Sequence, residues 1–183
     1  MAFDPEVFVN QYLAVESFVQ YLAYYRGVSN KMDSLTHSRA FWESVRNGHL
    51  KLATIAWCRV FGANREHLHW KKAPTGDNAE MAKQDFCDRL LLKTGFTPEQ
   101  WDTYHDEMLA FRNKYVVHFD LIERFNAPVP CFEPALKVAY AYQEWVRDLL
   151  KAVWRVHPTL SPLYYEQCRA EAFSVINSHI PKG

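Results

Sequence analysis

The chain has 183 residues, 49% of them hydrophobic, which is enough to close one core and predicts a single domain over residues 1–183. Lys plus Arg equals Asp plus Glu at 21 each, so no overall positive field supports indiscriminate nucleic-acid binding, and any such contact must come from a local patch. The longest apolar run, Leu52 to Phe61, contains Arg59 and falls short of the roughly 20 residues that span a bilayer, which excludes a membrane-spanning reading.

Asp4-Pro5 opens a first helix, and Val7, Phe8, Tyr12, Val15, Phe18, Val19 and Leu22 recur at helical spacing to Arg26, with Gly27 placed to end it. Ser38 or Thr36 caps a second helix through Phe41, Trp42, Val45, Leu52, Ile55, Trp57 and Val60, closed by Gly62. Gly62 to Asp77 holds Pro74 and Gly76 without a sustained period and reads as the longest loop. A third, shorter helix spans Asn78 to Lys93 and ends at Gly95.

Thr97-Pro98-Glu99-Gln100 joins a capping box to a proline at the first helical position, the strongest helix start in the chain. The fourth helix is predicted from Pro98 to about Ile122. Pro128 and Pro130 break it, Pro134 restarts a fifth helix through Leu136, Val138, Tyr142, Trp145, Leu149 and Val153, and Pro158 ends that one. Pro162 to Ser178 is a shorter terminal helix.

No segment alternates like a strand pair. The expected fold is therefore all-α: an antiparallel bundle of four longer helices with the third and last, shorter ones docked against it. Asp4 and Glu6 stand where a signal peptide would be cationic, and Cys58, Cys87, Cys131 and Cys168 form no C-x-x-C pair. Both observations predict a cytoplasmic protein with reduced, buried thiols.

A heptad set on the fourth helix puts Trp101, Met108, Tyr115 and Ile122 in one seam and Tyr104, Phe111, His118 and Phe125 in the other. His118 is the ionisable member of an otherwise apolar or aromatic seam. Arg112 lies six residues earlier, roughly 120° away at about 100° per residue, so both border one surface of a straight α-helix. Two readings of these residues stand: a core histidine with a flanking charge, or a chemical pair.

The whole string FRNKYVVHFD, Phe111 to Asp120, resembles the R-x(4–6)-H signature of the HEPN superfamily, in which a polar residue follows the arginine; here these are Arg112, Asn113 and His118. It looks most like HEPN proteins of the phage abortive-infection type. The resemblance implies a HEPN-like helical homodimer whose motif helices face each other across a cleft, and a metal-independent endoribonuclease. It would act as a toxin or a phage-defence effector, with an antitoxin or a nucleotidyltransferase as its partner. In the implied reaction His118 moves the proton of a ribose 2′-hydroxyl or of the leaving 5′-oxygen, and Arg112 holds the scissile phosphate by a forked pair of hydrogen bonds. Asn113 either orients His118 or binds a phosphate oxygen. Lys114, Tyr115, Lys71 and Lys72 complete the expected RNA-binding set.

Other features admit two readings each. Arg65 to Lys72 interleaves basic and aromatic residues; it guides an RNA backbone while Trp70 stacks on a base, or it is a solvated loop tethered by its tryptophan. His67 and His69 have metal-pair spacing, but no neighbour completes a site, so no metal or other cofactor is assigned. His105 is a second titrating group near the cleft or, beside Asp106 and Glu107, a surface residue. The alternative to an enzyme is a non-catalytic helical dimer that binds a phosphate-bearing ligand or a partner protein through Arg112 and His118.

Overall fold

Asp4 and Pro5 start the first helix as their chemistry requires. In a computed structural model that describes residues 2–117, 128–150 and 162–179, the Asp4 carboxylate accepts from the Glu6 and Val7 amides at 3.0 and 3.1 Å. Helix α1 (Pro5–Ser29) runs past Gly27, which therefore does not end it. Gly27 serves packing instead: a Cβ built there would lie 2.8 Å from Cβ of Ala172 on α6 (Pro162–His179), so its missing side chain lets the two backbones close up.

Helix α2 spans Arg39–Phe61. Ser38 precedes it in the left-handed region, φ 56°, and its hydroxyl makes no capping bond, so the expected serine cap is a position without its usual hydrogen bond. Gly62 does terminate α2, its amide donating to Cys58 O. Helix α3 (Ala79–Thr94) ends at Gly95, whose φ of 77° favours glycine. Helix α4 (Pro98–Phe111) has its capping box: the Gln100 amide donates to Thr97 Oγ1 at 3.3 Å, and the Thr97 amide to Gln100 Oε1 at 2.9 Å. Helix α5 is Phe132–Leu150.

The segment Gly62 to Asp77 is more ordered than its composition predicts. It contains a 3₁₀ turn, Trp70–Lys72, and a strand β2 (Pro74–Thr75) paired antiparallel with β1 (Ala2–Phe3). Two-residue strands are too short for alternation to register, which is why the sequence shows no sign of them.

Helix α1 packs along both α2 and α6, while α3 lies along α5. One core draws on every helix, from Phe8 to Cys168. Its centre is aromatic: Trp70 sits 4.6 Å from Phe86, which lies 5.2 Å from Trp145 and 5.8 Å from Tyr142. Three polar groups buried with these rings are paired, whereas the nearby Trp57 Nε1 has no partner among the described residues. Tyr142 donates to Gln11 Oε1 at 2.6 Å, Gln11 Nε2 donates to His69 O at 2.8 Å, and Trp145 Nε1 donates to Ala82 O at 3.0 Å. Leaving one such group unpaired costs about 1–3 kcal/mol, so these bonds fix the loop's path across α1 and α5.

The described residues are thus almost wholly helical. Helix α4 has 14 residues and runs directly into a further helical turn, Arg112–Val117, while α3 has 16 and α6 18. No described helix is long and apolar enough to cross a membrane. Cys58 and Cys168 are buried thiols as expected, whereas Cys87 is half-buried and Cys131 exposed.

Candidate functional site

The α-helical pattern of α4 stops at Phe111, not Ile122. From Arg112 to Val117 the chain continues as a π-helix, whose i→i+5 hydrogen bonds admit one more residue per turn. The 100° step assumed for a straight helix therefore fails at the first residue of the motif, and with it the 120° angle between Arg112 and His118. His118 and Asp120 lie outside the described residues, as do Ile122, Phe125, Val153 and Pro158.

Phe111 is buried and anchors the turn. Tyr115, half-buried, stacks on it with ring centroids 5.1 Å apart and planes 19° from parallel. The two rings stand four residues apart, the spacing at which side chains on one helical face meet.

Arg112 is held on three sides. Its Nη1 donates to Glu66 Oε1 at 2.9 Å, and Nε and Nη2 both donate to Asn113 Oδ1, at 3.1 and 3.0 Å. Its side chain is 14% exposed and that of Glu66 33%. Beneath it, burial pushes the Cys58 thiol up to about 12 and the guanidinium acts in the opposite sense, so Cys58 stays protonated. Asn113 thus orients Arg112, a role distinct from the two foreseen for it.

Glu66 is the residue that sequence reasoning missed. It sits in a stretch read for its cations, 46 positions from Arg112, and no spacing rule links the two. Lys71, Lys72, Asn113 and Lys114 are exposed. The loop Arg65 to Lys72 is joined to Arg112 by Glu66. Lys71 lies over the Trp70 ring, 5.4 Å from its centroid.

Trp70 is 6% exposed and closed in by Phe86 and Trp145, so it cannot stack on a base; of the two readings of this loop, the tethering tryptophan is the one found. His69 is 2% exposed. Its Nδ1 accepts from the Lys71 amide at 3.3 Å, and burial, reinforced by Lys71, pulls its pKa down to about 4. A neutral imidazole with both its carbonyl and its ring committed to the loop is a structural group.

His105 is not a plain surface residue. Its Nε2 lies 2.9 Å from Phe61 O and 3.2 Å from Gly62 O, where it meets carbonyls left open at the C-terminus of α2. Between this histidine and α3 lies a cleft of about 450 Å³ lined by Asn64, His69, Lys71, Trp101, Asp102 and His105, among others. His105 and Arg112 share a face of the α4 segment seven residues apart, so the cleft and the Glu66–Arg112–Asn113 cluster flank the same loop.

The cluster offers an anion-binding guanidinium, already occupied by a carboxylate and an amide, on a π-helical turn of the kind that recurs at functional sites. A phosphodiester presents the same pair of anionic oxygens as a carboxylate and is a chemically equivalent guest for it. No family model, no curated protein and no solved structure matches the chain.

Proposed function

We propose that the chain is a metal-independent endoribonuclease of the HEPN type, acting as a toxin or phage-defence effector. The single observation that carries the reading is the string from Arg112 to His118, with its arginine lodged in a π-helical turn and aimed by Asn113 and Glu66. In the proposed reaction the scissile phosphate displaces Glu66 from Arg112, exchanging one anion for another at a partly exposed site. The charge-assisted hydrogen bond to Glu66 is replaced by one to the phosphate on the same guanidinium. Arg112 then stabilises the charge that develops on the phosphate. His118 removes the 2′-hydroxyl proton or protonates the leaving 5′-oxygen, a role worth about 10²–10⁴-fold. The products are a 2′,3′-cyclic phosphate and a 5′-hydroxyl. The substrate's own hydroxyl is the nucleophile, so the reaction draws on no metal. A homodimer pairing two motif turns, and a neutralising antitoxin or nucleotidyltransferase, belong to the same proposal.

Purified protein incubated with RNA and a chelator tests it. Time-dependent cleavage leaving cyclic phosphate ends is expected, and a deoxyribose at the cleaved position should block it. Cleavage that stops with chelator and returns with magnesium would sink the mechanism.

One observation favours a second reading. The guanidinium of Arg112 is fully engaged with Glu66 and Asn113, as it would be if it served only to tie the loop to the turn. A non-catalytic helical dimer that holds a phosphate-bearing ligand or a partner protein would then show saturable binding and no cleavage.

A further inference from the structure

A second cavity, of about 260 Å³, lies apart from the Arg112 cluster, where the C-terminal turns of α1, the first half of α2 and α6 meet. Its walls belong to a small hydrophobic cluster separate from the main core, in which Val28 and Ile176 are buried and Trp42, Val45 and Ala172 pack against them. Three aromatic rings line it: Tyr24, Trp42 and His49. The Tyr24 and His49 rings meet edge to face at 5.3 Å, making a corner, and Trp42 stands seven residues from His49 on the same face of α2.

The charge in this pocket has one sign. Glu171 is its carboxylate, and among the described residues no lysine or arginine lines it. The Tyr24 hydroxyl donates to Glu171 Oε2 at 2.7 Å and keeps its proton, since burial and that carboxylate push it up to about 12. Glu171 is exposed, so this bond fixes the carboxylate at the solvent side of the cavity. Deeper in, burial lowers the pKa of His49, which keeps the ring neutral. Its Nδ1 is closed off from solvent, so the ring meets the pocket as an aromatic surface.

Few ligand classes suit both the carboxylate and the aromatic lining. An anion is repelled by Glu171. A neutral apolar molecule fills the cavity but leaves the carboxylate unanswered. A protonated alkylamine supplies positive charge and N–H donors for Glu171 and a cation for the aromatic faces, while its alkyl tail fills the apolar side of the cavity. We infer that the pocket formed by Tyr24, Trp42, His49 and Glu171 is a binding site for a small protonated alkylamine. The inference is independent of the ribonuclease reading.

Calorimetric titration of the full chain at neutral pH with n-butylammonium, and in parallel with n-butanol as its uncharged counterpart, tests it without any variant. Saturable binding of the ammonium at millimolar concentrations, with none of the alcohol, is expected. Glu171→Gln keeps an acceptor for Tyr24 and should retain the wild-type circular dichroism while binding the ammonium about tenfold more weakly, as the loss of one charge-assisted contact predicts. Equal binding of alcohol and ammonium, no saturation by the ammonium, or an unchanged affinity in Glu171→Gln would each overturn the assignment.

Discussion

The two ends of the segment from Gly62 to Lys72 teach different things. At one end His69 and Trp70, which read as loop residues in a basic and aromatic run, are buried at 2% and 6% exposure and bound into the core by Gln11, Phe86 and Trp145. At the other end Glu66, which carries no sequence signal, leaves the loop to meet Arg112 at 2.9 Å. Burial makes the first end a matter of stability and partial exposure makes the second a matter of chemistry. An aromatic side chain in a basic stretch is thus weak evidence for nucleic-acid contact until its neighbours are known.

The largest effect that separates the two ends is on cleavage. Arg112→Ala and His118→Ala should each lower the proposed RNA cleavage by about 10²–10⁴-fold, with helicity close to wild type by circular dichroism. Mixing the two variants under conditions of subunit exchange sharpens this, because one composite site in the heterodimer regains both groups if the pair is shared between chains. Wild-type cleavage by either variant alone would return both residues to a structural role.

Next in size is Trp70→Ala, expected to cost about 3–5 kcal/mol in urea unfolding, since it empties the space against Phe86 and Trp145. A cost below about 1 kcal/mol, accompanied by lost RNA binding, would restore Trp70 to the base-stacking role that its burial denies it.

A pH titration of stability probes the same end. The folded-state pKa of His69 is about 4 against an unfolded value of about 6.5, so on acidification the unfolded chain takes up a proton that the folded chain refuses. Stability should be flat in this contribution above about pH 6.5 and fall as the pH drops toward 4. His49, lowered by burial, adds in the same direction. His69→Asn keeps an acceptor for the Lys71 amide and should flatten the slope between about pH 6.5 and 5, leaving the part due to His49; an unaltered slope would mean that His69 is not held neutral.

The smallest effect expected is on stability in Glu66→Gln. Loss of a partly exposed ion pair should change unfolding by less than about 1 kcal/mol. Removing the competing carboxylate should nonetheless tighten RNA binding to Arg112, measured by fluorescence anisotropy. Weaker binding would assign Glu66 to holding Arg112 in place instead of contesting it.

Local chemistry alone determined most of the helix boundaries. Asp4-Pro5, the Thr97 to Gln100 capping box, Gly62 and Gly95 act within four residues of themselves, and each lies where its sequence predicts. The candidate arginine and its polar neighbour were legible for the same reason, as a short string on one helix. Only the tertiary structure decided the rest. Gly27 looks like a stop signal, but the approach of Ala172 makes it an interior packing position. The α-helical period gives no sign that the chain turns π-helical at Arg112. The pairing of Glu66 with Arg112 and the convergence of Tyr24, His49 and Glu171 join residues far apart in the chain. Periodicity records which face of a helix avoids water, whereas the identity of the group across from that face is fixed by packing among helices that the pattern of any one of them does not contain.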